Sequence, residues 1–316
     1  LVLLVIACAP VSSTDRQDLD ETQDHAFEYR SIKPSTGEPI IPCADPHPTL
    51  IRTLDIRQEE NIPEPNPHVP FRDAIYGGCV VRVTDRKNDL PEDDVTKGLK
   101  NAYSRIQSFN ADGSLIMVRS LDAYYYVYDA LTLDLLGALP SMNDPRWSNL
   151  HPHLIYDIGE LRLMSFDLNA GECQLAHDFS GDFPDQDIAA VWTRWEGSPS
   201  IDDRYWALMA QDQDWMAVAF IVYDLETDQI IARRDFRPPQ DVDSVTMSPL
   251  GNYFLAQFEF CDRGAIGSAD HPCGLMVYDR NLEHARGLLR IVGHSDVALD
   301  ADGNEIFFYQ DIDSDQ

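Results

Sequence analysis

The chain has 316 residues, 44% of them hydrophobic, enough to fill one large core. Its 54 acidic residues against 24 basic ones leave a net charge of −30, so nucleic acid and anionic membrane surfaces are repelled and neither is an expected partner. Acid is spread along the whole chain and Lys is scarce beside Arg, a distribution closer to adaptation to a salty medium than to a local binding patch.

Residues 1–20 open LVLLVIACAPVSST, an apolar run too short to span a bilayer and followed at once by polar sequence. It reads as the end of a secretory signal truncated at its start, since no Met and no basic stretch precede Leu1. Val5-Ile6-Ala7-Cys8 resembles a bacterial lipobox, which would make Cys8 the lipidated first residue of the mature protein; an ordinary signal peptide or a piece of a membrane anchor is the alternative. The expected location is the bacterial envelope, periplasm or outer membrane surface, with a lipid as the only membrane attachment.

Residues 21–77 carry little periodicity and many prolines, notably Ile62-Pro63-Glu64-Pro65-Asn66-Pro67, and read as a flexible tether and an extended lead-in. From residue 78 to 316 the sequence continues without a composition break, as one domain. Gly78 to Asp85 gives a clear strand, expected to complete the last repeat of a ring, and Lys87 to Tyr103 is a charged loop.

Ser104 to Pro140 reads as a complete antiparallel unit of four strands. Asn110-Ala111-Asp112-Gly113 is a turn whose glycine can adopt positive φ, Ser114 to Ser120 a β-rich run, Tyr124 to Tyr128 a strand closed by Asp129, and Leu135 to Leu139 the outermost strand. The pattern recurs with the aromatic-Asp pair at Phe166-Asp167, Tyr223-Asp224 and Tyr278-Asp279, and begins once more at Asp300-Ala301-Asp302-Gly303-Asn304. Copies about 40 to 55 residues long, each apolar on both faces, must stack on one another. The predicted fold is therefore all-β: a β-propeller of four-stranded antiparallel blades, incomplete at its C-terminal end, with about four full blades plus part of a fifth in an open arc. Inner strands are expected to start near Arg105, Arg146, Ser198, Val245 and Asp296.

Six cysteines in an exported protein permit disulfides. Cys261 and Cys273 flank an inserted loop, DRGAIGSADHP, whose ends strands bring together. A disulfide there is one reading. Structural zinc on Cys261, Cys273, His271 and His294 is a second, and free thiols a third.

Chemistry is expected on the axial face, where the segments leading into the innermost strands converge. These carry Arg105 and Gln107, Arg146 and Trp147, Glu196 and Ser198, Asp243 and Ser244, and His294 and Asp296. A propeller axis is also a wet funnel that tolerates polar residues without catalysis. His151 and His153 fall at the turn position and read as exposed turn residues. Trp192, Trp195, Trp206 and Trp215 fall in the third copy as inter-blade core, with one at a rim able to stack on a sugar.

The NADG, SPLG and DADG turns with YD strand ends resemble the WD40-like and TolB-like propellers of exported bacterial proteins, over about Gly78 to Gln316. Gly293-His294-Ser295-Asp296, Asp144-Pro145-Arg146-Trp147 and Glu196-Gly197-Ser198-Pro199-Ser200 also look similar to propeller-fold polysaccharide lyases acting on oligogalacturonate or ulvan. That resemblance implies Arg146, with Arg105 as second candidate, as neutraliser of a uronate carboxylate and His294 as base or metal ligand. No Tyr acid falls on a lead-in segment, and the acidic surface opposes capture of a polyanion. There is no GxSxG elbow, P-loop or dinucleotide fingerprint. Two function classes follow: a monomeric surface-anchored module binding a polysaccharide or protein on Gln107, Trp147, Glu196, Ser198 and Asp296, and a lyase cleaving a uronic-acid polymer by β-elimination.

Overall fold

In the computed structural model, which describes residues 32–33, 35–41, 43, 63–90, 98–310 and 312, the chain is almost entirely β. Cys8 lies outside the described residues. The lead-in supplies β1 (Phe71–Arg72), β2 (Cys79–Val80) and a four-residue helix, Arg86–Asp89. Four antiparallel sheets of four strands follow, each a blade. They comprise β3 (Leu99–Lys100), β4 (Leu115–Ser120), β5 (Tyr125–Asp129) and β6 (Leu135–Ala138); β7 (Pro145–Trp147), β8 (Leu154–Gly159), β9 (Arg162–Asp167) and β10 (Glu172–Asp178); β11 (Ile188–Trp192), β12 (Tyr205–Asp212), β13 (Ala217–Asp224) and β14 (Gln229–Gln240); β15 (Val242–Met247), β16 (Tyr253–Phe258), β17 (Leu275–Asp279) and β18 (Arg286–Leu289). A fifth sheet has β19 (Ser295–Leu299) and β20 (Glu305–Tyr309).

The recurring residues act as the repeat requires. Gly113, Gly251 and Gly303 sit at φ 72°, 69° and 81° in the turn after the inner strand. In the third blade Asp203 takes that place at φ 60°, and its carboxylate is gripped by Ser148 and Asn149 of the second blade. Tyr223 and Tyr278 are buried between blades and Tyr128 between blade one and the lead-in, while the Asp after each accepts backbone N–H groups of the following turn, as Asp129 does from Leu131 and Thr132. His151 is exposed at its turn.

Blades two, three and four share the largest core, with Trp206, Phe220 and Phe254 fully buried. Blades one and two close on Met117, Val127, Trp147 and Ile155. The other face of blade one is covered by lead-in residues Ile40, Val81 and Val83. On the fifth sheet Val297 and Phe307 pack on blade four, whereas Ile306 and Phe308, alternating with them, stay 41% and 52% exposed.

Two expectations need correction. The strand at Cys79 does not complete the last blade: β2 pairs with β1 and is tied to the lead-in by the Cys43–Cys79 disulfide. Inner strands one and three begin at Leu99 and Ile188 rather than at Arg105 and Ser198, because both are interrupted. Pairing stops at Lys100 and resumes at Phe109, which bridges Ile116; it stops at Trp192 and resumes where the Ser200 N–H donates to the Tyr205 carbonyl. The intervening residues leave the ladder as bulges.

Candidate functional site at the propeller axis

The two bulges carry the central feature. Arg105 on the first reaches across the axis to Glu196 on the third-blade bulge, 2.9 Å away, with side chains only 10% and 14% exposed. Its guanidinium also donates to Ser244 Oγ (3.3 Å) and Gln257 Oε1 (3.0 Å) of blade four and to the Gly293 carbonyl (3.3 Å). One arginine thus joins blades one, three and four to the start of the fifth sheet. Burial pushes the Glu196 carboxyl above the usual carboxylate range, against the pull of Arg105, and Asp243 adds to the rise.

Near this pair lies Tyr103, the last residue of the charged loop that precedes Ser104. Burial of its phenol, with the charge of the nearby Glu196 carboxylate adding to it, raises its pKa, so it stays protonated at neutral pH. The His294 ring lies 6.0 Å from the Tyr103 ring, and its Nδ1 is 3.3 Å from Ser104 Oγ. His294 does not pair with Asp296, whose Oδ1 instead accepts its neighbour's Val297 N–H at 2.8 Å. Burial raises the Asp296 carboxyl.

On the other side of Arg105, toward the turns that end the inner strands, a cavity of about 450 Å³ opens along the axis. Gln107, Asn149, Ser198 and Asp296 give it polar walls, and Met247 and Leu299 apolar ones. Three of the expected binding residues therefore share one cavity. Trp147 is elsewhere: it is 5% exposed, wedged between blades one and two, and donates its indole N–H to the Ser108 carbonyl.

Arg146 is 4% exposed and fully engaged. Its donors go to Gly197 O (2.6 Å), Pro145 O (2.8 Å), Thr193 Oγ1 (3.1 Å) and the Asp144 carboxylate. The group fastens the third-blade bulge to the second blade. Beside it, burial lifts Asp157 to about 6, while that carboxyl receives the Asn143 and Asp144 N–H groups.

The zinc staple is overturned. Cys261 and Cys273 are joined in a disulfide, S–S 2.06 Å, so neither thiolate is left for a metal. His271 lines a separate groove of about 630 Å³ beside this loop, with Arg237 and Phe260, while His294 stays near the axis. Among the described residues, metal-ligating atoms approach one another at Asp279, Glu283 and His284, within 4.8 Å. That group lies in the turn between β17 and β18, where His284 Nδ1 contacts Asp279 Oδ2 at 2.6 Å.

No protein-family model and no curated protein matches this sequence. Among solved structures the chain is similar to an oligogalacturonate lyase in complex with manganese, at 14% identity over 76% of this chain and 66% of that one, TM-score 0.49. It is also similar to the oligogalacturonate lyase of Vibrio parahaemolyticus, at 14% identity over 76% of this chain and 65% of that one, TM-score 0.50. The hydrazine synthase of Kuenenia stuttgartiensis follows at 14% identity, covering 68% of this chain and 56% of that one, TM-score 0.41. The chain spans just under two thirds of the length of the two lyases. At this identity the likeness is one of fold, and the fold is the propeller.

Proposed function

We propose that this chain is an exported, lipid-anchored propeller that binds a neutral saccharide in its axial cavity. One observation carries the reading: both arginines suited to neutralise a uronate carboxylate are spent within the protein, Arg105 on Glu196 and Arg146 on Asp144. What remains in the cavity wall is the amide and hydroxyl chemistry of Gln107, Asn149 and Ser198, with apolar surface beside it, which suits hydroxyl-rich neutral rings. A net charge of −30 opposes a polyanion. Export is supported by the apolar leader and by disulfides, Cys43–Cys79 and Cys261–Cys273 among the described residues, that favour an oxidising compartment. Calorimetric titration with neutral oligosaccharides should show binding that Gln107→Ala and Asn149→Ala weaken. Tight binding of oligogalacturonate, with none of any neutral sugar, would sink the reading.

A second reading, β-elimination on a uronic-acid polymer, is favoured by the meeting of Tyr103, Arg105, Glu196 and His294. A protonated phenol could protonate a leaving oxygen and His294 take an α-proton. The oligogalacturonate lyases of like fold lend it the same substrate class. Ultraviolet absorbance of an unsaturated uronate, produced from pectic or algal polymers and abolished by His294→Ala, is the test; absorbance that never rises removes it.

A further inference from the structure

The third blade carries an aromatic surface that the axial cavity does not use. Trp192 is buried and its ring is flanked by those of Trp195 and Trp215, at centroid distances of 4.6 and 5.5 Å. Both flanking indoles are 50% exposed. They come from different places: Trp195 from the bulge after β11, and Trp215 from the hairpin between β12 and β13.

Both are held in backbone conformations that oppose them. Trp215 has φ 61° and Trp195 φ 66°, with Arg194 before it at 58°. Left-handed backbone is uncommon for a bulky side chain and costs free energy. The repeat itself shows that the turn does not call for tryptophan: in the matching hairpin of blade one the left-handed place belongs to Ala123, φ 69°. The surroundings compensate. Asp212 Oδ1 accepts the Asp214 and Met216 N–H groups, Gln211 links the Trp192 indole N–H to the Trp215 carbonyl, and the Trp195 indole donates to the Asn143 carbonyl. A polar network thus displays two indoles at the surface, where burial would have been expected of them.

Two carboxylates lie at the Trp215 hairpin. Asp214 lies beside Trp215 in its hairpin, and the Asp187 carboxylate, bonded by Gln213, crosses from the segment before β11. Indole faces stack on the C–H faces of pyranose rings, and carboxylates accept hydroxyl hydrogens while repelling anions. We propose that Trp195 and Trp215, over Trp192, form a second, surface site for the sugar rings of a neutral polysaccharide, separate from the axial cavity. The two sites share no residue, so one can fail while the other stands.

Tryptophan fluorescence supplies the readout, because two of the five indoles form the site. The probes are cellohexaose, xylohexaose and mannohexaose, with hexagalacturonate as the anionic arm. At least one neutral probe should shift the emission. Trp195→Gly and Trp215→Gly should each weaken binding by about tenfold, the loss of one stacked ring. Glycine suits the left-handed backbone, so both variants should still melt cooperatively. His284→Ala, in the exposed turn between β17 and β18 and outside both sites, should leave this titration unchanged. The proposal is overturned if no neutral probe binds the folded protein, if hexagalacturonate binds through the same tryptophans as well as the neutral sugars do, or if folded glycine variants bind undiminished.

Discussion

At the scale of single residues, the clearest titrating group is His177 on β10. Its ring lies between two carboxylates, with Nε2 2.9 Å from Asp182 and Nδ1 2.6 Å from Asp228 of the third blade, and it packs on Phe179 and Tyr223. Burial alone would lower its pKa, but the hydrogen bonds and charges of the two aspartates outweigh it and the net shift is upward. A raised folded pKa stabilises the fold fully below the unfolded value of about 6.5, and the contribution is lost as pH rises through the folded value. Urea midpoints measured from about pH 6 to pH 9 should therefore fall more for the native chain than for His177→Phe. Parallel profiles would show that the aspartates do not hold the proton. Gly197 makes a second, steric case. A Cβ there would stand 1.9 Å from the Val245 carbonyl oxygen and 2.9 Å from Thr193 Cβ, in the bulge Arg146 grips. Gly197→Ala should cost about 1–3 kcal/mol by overpacking, read as a lower denaturant midpoint.

At the scale of elements, the two bulges and the inserted loop depart from the repeat, and each has its own test. Removing Arg105 leaves Glu196 buried with its main partner gone, so Arg105→Ala should lose about 3–5 kcal/mol. Replacing both by apolar residues, Arg105→Met with Glu196→Leu, should recover much of that loss; a double variant no better than the single one would locate the cost in packing instead. The Cys261–Cys273 bond closes a short loop, so Cys261→Ser with Cys273→Ser should cost about 2–4 kcal/mol, and zinc added to the reduced protein should not restore it. The same elements mark what the sequence made legible. Turn motifs, strand-ending aromatic-Asp pairs and β-rich runs are local signals, and they placed all four blades. The bulges were not legible, because Tyr103 and Glu196 owe their positions to partners on other blades: Arg105 and Glu196 are 91 positions apart and meet only once the blades have stacked. The same holds for Arg146, whose residue type suggests carboxylate recognition and whose burial by Asp144, Thr193 and Gly197 only tertiary structure discloses.

At the scale of the whole molecule, stability should be graded along the stack, because each blade gains its core from its neighbours. Blade three has neighbours on both faces: every residue of β13 is buried, and Phe220 touches Phe236 within its own blade and Phe254, Phe258 and Tyr278 of blade four. The fifth sheet is the opposite case, two strands packed on Leu255, Val277 and Val292 with Ile306 and Phe308 open to solvent. Blade one stands between these extremes, since the lead-in residues Ile40, Val81 and Val83 cover its outer face and the Cys43–Cys79 disulfide secures them. Backbone amides open with free energies set by the apolar contacts that must be broken. Hydrogen exchange should accordingly be slowest in β12 and β13, faster in β4 and β5, and fastest in β19 and β20. Loss of the Cys43–Cys79 disulfide by reduction, isolated as Cys43→Ser with Cys79→Ser, should speed exchange in β4 and β5 while leaving β13 as it was, because the described lead-in residues pack on blades one and two and not on blade three. If β20 proves as protected as β13, its open face is covered in solution and the gradient fails; if reduction speeds all blades alike, the stack unfolds as one unit and its stability does not divide blade by blade.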